Sequence, residues 1–336
     1  MSRESYNWLN TQTLIGFTEQ RGNAWHYRAE EQGDESNHYP GAIPVEDVLR
    51  RLFDFQVLSA EITATALTPD GVVSVIDPDR QATMHSKTGH IFGVFKRGYE
   101  IHQPKEWLLD QVAALIDDDV QIGSAGNLKQ GAVSWVSIEV PENIVTPSGV
   151  EFRPHLVAST SHDGTLATTY KRSAQLVVCD NTLAAALQGQ GETFKVKHSR
   201  YSALKLQTAR DALNIIHTLA DDFSAQVEAL CATKVSEAQW RRFVDALAPL
   251  PEAEGRGRTM ADNKRTALNR LWQQDDRVAP WQGTAFGVLQ AVNTFEHHFS
   301  QIRRAERVER NMLRAVKGDF DKLDASTLET LEAVLV

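Results

Sequence analysis

Cysteine is scarce in this sequence. Only Cys179 and Cys231 occur among 336 residues, and both lie among apolar neighbours. Their separation matches neither a paired redox motif nor a zinc-binding pattern. We therefore expect two reduced, buried thiols, as is usual in the cytoplasm, and we expect neither a metal site nor a cofactor.

Long apolar runs are missing too. No stretch approaches the roughly 20 consecutive apolar residues that span a bilayer, and the first residues lack the apolar segment of a secretory signal peptide. The sequence predicts a cytoplasmic protein without membrane contact. It also lacks the phosphate-binding patterns G-x-x-x-x-G-K-[ST] and G-x-G-x-x-G.

Excess positive charge is likewise absent, because 35 lysines and arginines stand against 44 aspartates and glutamates, for a formal net charge of −9. This balance argues against a protein that coats duplex DNA by bulk attraction, but it allows a local basic groove on an acidic body. Hydrophobic residues make up 42% and charged residues 24%, which is typical of a soluble globular protein. The length suffices for one large domain or two smaller ones.

Three regions follow from the hydrophobic pattern. Residues 1–42 are polar and aperiodic and predict an N-terminal arm. Residues 43–201 alternate β-branched runs with turn sequences such as Pro69-Asp70-Gly71, and they predict an antiparallel β-meander packed with helices. Residues 202–336 repeat apolar positions every three or four residues and predict an α-helical C-terminal region. The predicted fold class is therefore α+β.

Local signals predict where some of the C-terminal helices begin. Ser236 and Gln239 form a capping-box pattern, and a last helix is expected to open at Ser326. Two further helices are predicted near 260–274 and 284–316. A flexible charged linker is expected at 252–258.

The stretch from Thr165 to Leu187 is central to the predicted core. Leu176–Cys179 has the apolar, β-branched composition of a buried strand. Asp180 or Asn181 can then cap the first turn of a helix over Leu183–Leu187. This pattern predicts a strand, a turn and a helix in succession.

The same stretch carries a family resemblance. SHDGTLATTYKRSAQLVVCDNTLAAAL, at 161–187, resembles the signature of an uncharacterised family, a domain of unknown function, found in phage- and plasmid-borne proteins of actinobacteria and their phages. The resemblance continues upstream in IFGVFKRGYEIHQPKEWLLD and downstream in KHSR and GTAFGVLQAVNTFEHH. It implies a protein of a mobile element and does not imply an activity.

Cations stand beside a tyrosine at three places that we predict to be strand ends or turns. Single-stranded nucleic acid is bound in this way, because cations contact the phosphates while aromatic faces stack on the bases. The alternative is three unrelated solvated turns, each with an amphipathic tyrosine lying on the body. The candidate nucleic-acid-binding residues are Lys96, Arg97, Tyr99, Tyr170, Lys171, Arg172, Lys195, Lys197 and Arg200.

Catalytic chemistry has weaker candidates, and we predict no catalytic residue. Cys179 lies where a helix dipole would lower the pKa of its thiol, but a small buried apolar residue is the alternative. The Ser161-His162-Asp163 segment is typical of a tight turn once Gly164 is included. Adjacent histidines such as His297-His298 point to different faces of a helix and do not form a metal site.

The arginine-rich helix predicted at 301–317 allows two interpretations. Its alternating charges are typical of a solvated helix paired with itself, and contact with nucleic acid is the alternative. The leading hypothesis for the whole chain is a non-enzymatic protein of a phage or mobile element that binds single-stranded DNA and takes part in strand annealing.

Phage recombination proteins of the Rad-fifty-two-like class offer an analogy of architecture, since they combine a β-meander with a helix and assemble into rings. By this analogy we expect a homo-oligomer, in the form of a ring. The alternative function is a phage-encoded interaction protein that binds a host factor without catalysis.

Overall fold

The computed structural model describes residues 8–24, 27–116, 120–139, 143–176, 182–183, 194–199, 216–301 and 307–335. The chain forms two compact units that interleave along the sequence. The first consists of Met1–Pro141, His155–Lys171 and Glu192–Ile215, and the second of Glu142–Pro154, Arg172–Gly191 and Ile216–Val336. An antiparallel sheet with helices, followed by several C-terminal helices, confirms the α+β class.

Short strands dominate the first unit, and longer helices dominate the second. The strands are β1 Thr13–Ile15, β2 Val57–Ala60, β3 Thr63–Thr68, β4 Gly71–Ile76, β5 Arg80–His85, β6 Ile91–Lys96, β7 Gln121–Leu128, β8 Val133–Glu139, β9 Ile144–Val145, β10 Glu151–Ser161, β11 Thr168–Leu176, β12 Thr182–Leu183 and β13 Phe194–Val196. The α-helices are Thr18–Arg21, Val45–Arg51, Asp110–Ala113, Ile216–Ala232, Glu237–Leu247, Arg256–Gln274, Ala285–Thr294, Arg307–Lys317 and Asp319–Leu335. Short π-helical segments occur at Lys105–Leu109 and Phe295–Phe299, and 3-10 turns at Ala29–Glu31, Lys129–Gly131 and Ala279–Trp281.

The predicted meander is divided between two small sheets of the first unit. Strands β2, β5 and β6 form a three-stranded antiparallel sheet, whereas β3 and β4 form a separate two-stranded hairpin. The hairpin turn lies at Pro69 and Asp70, as predicted, with Thr68 paired to Gly71. Residues 99–102, which follow β6 and lie within the region predicted as the meander, have no regular secondary structure.

The larger sheet of the first unit places β7 between β1 and β8, with β10 on the far side of β8. Every residue of β8 is buried, so both of its faces are covered. Two glycines of β7 make this packing possible. A Cβ atom at Gly126 would overlap the Trp135 indole, and one at Gly123 would overlap the Glu139 carboxylate.

The region predicted as an N-terminal arm contributes to this sheet. Thr13–Ile15 pairs antiparallel with Ser124–Gly126 of β7, and Leu9, Leu14 and Phe17 are buried. These apolar side chains therefore belong to the core of the first unit.

The helices of the second unit surround two apolar clusters. In one, Trp240 stacks on Trp272 with ring centroids 4.5 Å apart, and helix Ala285–Thr294 is buried along its whole length. In the other, Phe152 packs against Phe223. Within the described ranges, no helix combines the length and apolar character that crossing a membrane requires.

Several predicted helix boundaries in the second unit are wrong. Helix Arg256–Gln274 begins inside the predicted linker, and helix Asp319–Leu335 begins seven residues before Ser326. The predicted helix 284–316 is interrupted, because Ser300 leaves the helical conformation at ψ 141°. Gly318, at φ 72°, marks the turn between the last two helices.

The stretch chosen as the centre of the core also differs from the prediction. Strand β11 begins at Thr168 instead of Leu176, so Tyr170 and Lys171 lie within a strand and not at a turn. Thr182–Leu183 forms a strand paired with Ala174–Gln175, where a helix was predicted. Cross-strand pairing thus prevails over the helical propensity of the leucine. Residues 177–181 and 184–193, including Cys179, lie outside the described residues.

Candidate functional site

Five rings of the first unit form a continuous stack from the surface into the core. Phe95 stacks on Tyr99 at 4.1 Å between ring centroids, and Tyr99 stacks on His198 at 4.8 Å. His198 stacks on His102 at 3.9 Å, and His102 on Trp107 at 3.7 Å. The interplanar angles are 14°, 4°, 21° and 7°, so each inner ring is covered on both faces.

Glycines make room for the outer end of this stack. A Cβ atom at Gly93 or at Gly164 would come within 2.8 Å of the Phe95 ring. Gly164 also has φ 75°, as predicted for the His162-Asp163-Gly164 turn. The turn is held by Asp163, which accepts hydrogen bonds from the Thr165 amide at 3.0 Å and from Lys129 at 2.8 Å.

A chain of hydrogen bonds runs beside the rings and sets the protonation of both stacked histidines. His198 Nδ1 donates to the Glu100 carbonyl at 2.9 Å, so its Nε2 is the acceptor, 3.4 Å from the Thr160 hydroxyl. Thr160 and Thr168 hydroxyls are 2.8 Å apart, and Thr168 Oγ1 is 2.6 Å from His102 Nδ1. Each donor has an acceptor when His102 Nδ1 donates to Thr168, Thr168 to Thr160, Thr160 to His198 Nε2, and His198 Nδ1 to the Glu100 carbonyl.

The histidines of this region are held neutral. Burial, reinforced by His198 and His162, lowers the pKa of His102 from its ordinary 6.5 to about 2. Burial also lowers the pKa of His198 to about 4, against the opposing hydrogen bond to Glu100. A neutral imidazole stacks without the cost of desolvating a charge.

His162 lies next to this stack and is completely buried. Its ring packs against Phe92 at 5.7 Å between centroids, and neither ring nitrogen has a hydrogen-bond partner among the described residues. Burial, with the neighbouring His198, lowers its pKa to about 3. Its backbone is fully bonded, since the amide donates to the Ala132 carbonyl at 2.7 Å and the carbonyl accepts from Thr83 at 2.7 Å.

The contact between Tyr99 and His198 brings two of the three predicted cationic segments side by side. Lys96 and Arg97 precede Tyr99, and Lys195 and Lys197 precede His198. All four cationic side chains are exposed. We call Lys96, Arg97, Lys195 and Lys197 the cationic edge.

No carboxylate of the described part of the chain pairs with a member of the cationic edge. Other cations of the first unit do have such partners, since Lys87 is 2.6 Å from Asp54 and Lys129 is 2.8 Å from Asp163. Arg80 faces Lys96 across β5 and β6, and its guanidinium is 4.0 Å from Asp77. The sequence did not indicate Arg80 as a cation of this site, because Lys96, which it faces across the two strands, is 16 positions away along the chain.

The third predicted segment joins the others through strand pairing. Thr169 lies opposite Lys195 in the β11–β13 register, so Lys171 and Lys195 point to the same face. Tyr170 points to the opposite face and is buried, and its hydroxyl donates to the Trp107 carbonyl. Lys171 is buried as well. The Arg172 side chain and Arg200 lie outside the described residues.

These placements limit which aromatic faces could contact a ligand. Both faces of the Tyr99 ring are covered by Phe95 and His198, and the Tyr99 hydroxyl donates to the Ser161 carbonyl at 3.1 Å. Tyr170 is part of the core. In this conformation neither tyrosine offers a face to a base, and the exposed chemistry of the site is its positive charge.

Cys231 and His297, two residues singled out from the sequence, lie in the packed interior. Cys231 is buried, and burial raises the pKa of its thiol. His297 stacks on Phe320 at 3.9 Å, while His298 is exposed, so the two histidines face different ways as predicted. Among the residues that the structure describes, no three histidine, cysteine or acidic side chains are grouped as metal ligands.

A buried ionic group was not predicted. Arg21 Nη1 is 2.6 Å from Glu139 Oε1, and His155 Nδ1 is 3.6 Å from Glu139 Oε2. Burial acts to raise the pKa of Glu139, but the hydrogen bond to His155 and the Arg21 charge hold it below its ordinary value. These partners come from the first helix and from β8 and β10, so sequence spacing carries no signal of the group.

The fold and these side chains define an α+β protein of two units, the first of which presents a cationic edge beside stacked rings. Residues 91–317 match the family described as Domain of unknown function (DUF932), and the chain belongs to this family. The matched segment includes the cationic edge and the histidines of the stack, and it begins after the β3–β4 hairpin. No curated protein and no solved structure matches the chain.

Proposed function

We propose that the first unit binds single-stranded nucleic acid through the cationic edge, as part of a cytoplasmic protein of a phage or mobile element. The observation that carries this proposal is the Tyr99–His198 stack, which joins two cationic segments while their side chains stay exposed and without carboxylate partners in the described chain. Cations in this condition can contact phosphates without first breaking an ion pair. The acidic total charge of the chain is compatible with such a local surface.

The roles of the aromatic residues differ from those that the sequence pattern suggested. We infer that Tyr99 positions the backbone of the cationic edge, since its ring is enclosed between two others. Lys171 lies on the same face as Lys195 but is buried, so the proposed phosphate contacts are those of the cationic edge alone. Binding of this kind depends on charge and is expected to show little sequence preference.

A fluorescence-anisotropy titration with a labelled oligothymidine tests the proposal. Four phosphate contacts on a single strand predict that log K falls with log salt at a slope of about −3. The double variant Lys195→Gln/Lys197→Gln should lower the magnitude of the slope by about 1.4 and weaken binding roughly ten- to a hundredfold at 50 mM salt. Its circular dichroism spectrum should match that of the wild type.

Lys87→Gln provides the matched control. Lys87 is an exposed lysine of the same unit that is already paired with Asp54. Its replacement removes one positive charge, as each substitution in the double variant does, but leaves the cationic edge unchanged. Binding should then change by less than about twofold, because exposed distant charges are screened. No binding at low salt, or an equal loss per charge in Lys87→Gln, would overturn the proposal.

Strand annealing is the activity that we propose for this binding. Mixing two complementary oligonucleotides that carry a fluorophore and a quencher measures it directly. The wild type should accelerate quenching, and Lys195→Gln/Lys197→Gln should not. Binding without acceleration would retain the nucleic-acid surface and remove annealing from the proposal.

A further inference from the structure

Among the described residues, the β3–β4 hairpin pairs with no further strand. It forms a sheet of two strands only, and all residues from Thr63 to Ile76 are exposed. Leu67 is 88% exposed, Val72 66% and Val75 61%. A two-stranded hairpin by itself is marginally stable in water, so this arm is expected to gain further strands or a covering layer in the working protein.

Both faces of the hairpin carry apolar side chains. Leu67 and Val72 face each other on one side, and Ala66 and Val73 face each other on the other. The two strands, TATALT and GVVSVI, contain no charged residue and no proline. Monomeric proteins protect open strand edges with lysine, proline or bulges, and both edges of this hairpin lack such protection.

The sequence of β4 is nearly palindromic about Ser74. When this strand pairs antiparallel with a second copy of itself around Ser74, Val73 lies opposite Val75 of the other copy and Val72 lies opposite Ile76. Ser74 then faces its own counterpart. Every apolar side chain therefore meets an apolar side chain on the same face, which is the complementarity that a two-fold interface requires.

We propose that the β4 edge is a self-association surface, through which two copies of this chain join their hairpins into one four-stranded antiparallel sheet in the order β3, β4, β4, β3. A typical interface buries roughly 30–40 Å² per participating residue. The six residues of β4 that meet the second copy then supply about 200 Å² per copy, and the backbone hydrogen bonds between the two β4 edges add to this contact. The uncharged surface matches another uncharged strand better than it matches a nucleic acid or an acidic peptide.

Cysteine cross-linking tests the register. In the proposed pair the two Ser74 Cα atoms are about 4.5–5.5 Å apart, within disulfide range. Ser74→Cys should therefore give a covalent dimer under mild oxidation. Thr65→Cys is the matched control, because Thr65 faces Ser74 within one hairpin, its Oγ1 3.0 Å from the serine Oγ.

In the dimer the two Thr65 residues are separated by three strand spacings, about 14 Å, and cannot form a disulfide. Thr65→Cys should then behave like the wild type, whose two native cysteines set the background. Equal cross-linking of the two variants, or preferential cross-linking of Thr65→Cys, would overturn the β4 pairing.

Charge exchange tests the same arrangement without covalent bonds. Val73→Lys/Val75→Lys places like charges opposite each other across the axis and should raise the dimer dissociation constant at least about tenfold. Val73→Lys/Val75→Glu places opposite charges there and should restore association. Light scattering after size exclusion, over a range of concentrations, measures both.

Two outcomes of the light-scattering experiment would contradict the proposal. One is a wild type that stays monomeric at all concentrations. The other is a dimer that both charge variants leave intact, or that both abolish equally. A hairpin that packs against a different surface would respond to the loss of apolar contact in both variants, whatever the sign of the new charge. Either result would assign the arm to a different partner. The nucleic-acid titration is independent of this result, because the cationic edge lies outside the hairpin.

Discussion

The imidazole of His198 stacks on the phenol ring of Tyr99, with ring centroids 4.8 Å apart and planes inclined by 4°. Nearly 100 residues separate these two side chains along the chain. Their contact sets the position of the Lys96–Arg97 turn relative to the end of β13, and so it brings the cations of these two segments side by side, as the proposed nucleic-acid contact requires.

Substitutions at Tyr99 distinguish a role in positioning the cationic edge from direct contact with nucleic acid. Tyr99→Phe keeps the ring stack and loses one hydrogen bond to the Ser161 carbonyl, so the free energy of unfolding should fall by about 1 kcal/mol. Tyr99→Ala removes the middle of the stack and should cost about 3–5 kcal/mol. Urea denaturation measures both. Nucleic-acid affinity of Tyr99→Phe should equal that of the wild type, and a loss of tenfold or more would mean that the hydroxyl contacts the ligand.

Stability should fall in mild acid. The pKa values of His102, His162 and His198 in the folded protein are about 2, 3 and 4, whereas the unfolded chain titrates near 6.5. Below pH 6.5 the unfolded chain therefore binds more protons than the folded protein, and acid favours unfolding. Each histidine contributes up to about 1.4 kcal/mol per pH unit between pH 6.5 and its folded pKa, and none above pH 7.

Buried His38 and His297 act in the same direction, because burial lowers their pKa values to about 4 and about 3. Urea midpoints measured from pH 5 to pH 8 give the slope. His162→Leu should make this slope shallower by the contribution of one proton, while stability at pH 7 stays within about 1.5 kcal/mol because no hydrogen bond of the ring is lost. An unchanged slope would contradict a neutral buried His162.

The Glu139 carboxylate occupies the space that a side chain at position 123 would need, so this position requires glycine. In Gly123→Ala the new Cβ atom overlaps Glu139, so either β7 moves or the Arg21–Glu139 pair breaks. The expected loss is about 3 kcal/mol or more, as for a buried pair that loses one partner. Thermal unfolding measures the change. Gly41→Ala is the control, because no atom of the described residues beyond its chain neighbours lies within 4 Å of its added Cβ, and it should shift stability by less than about 0.5 kcal/mol.

Two serines with similar sequence patterns should respond differently to alanine. Ser236 caps helix Glu237–Leu247, accepting from the Gln239 amide in a complete capping box, so Ser236→Ala should cost about 1 kcal/mol. Ser326 lies inside helix Asp319–Leu335 and bonds back to the Leu323 carbonyl. Ser326→Ala should be neutral or slightly stabilising. Chemical denaturation of both variants tests this, and equal losses would contradict the helix boundary at Asp319.

The α+β class, the hairpin at Pro69–Asp70, the Gly164 turn and the Ser236 cap follow from the sequence alone, because each depends on a few adjacent residues. A proline or a left-handed glycine favours a turn in many contexts, and a serine three residues before a glutamine can cap a helix through hydrogen bonds within a single turn. The exposure of Lys96, Arg97, Lys195 and Lys197 is foreseeable for the same reason.

Tertiary structure decided everything that depends on distant partners. Strand β7 reads as a poor strand because of its glycines, and only the bulk of Trp135 and Glu139 on the facing strand explains them. Tyr170 looked like a surface aromatic beside cations, but strand pairing turns its ring into the core. The stacking of Tyr99, His198 and His102 joins residues whose positions in sequence carry no periodic signal. Local chemistry thus determines turns, caps and charges, whereas burial and ring contacts exist only after the chain has brought those residues together.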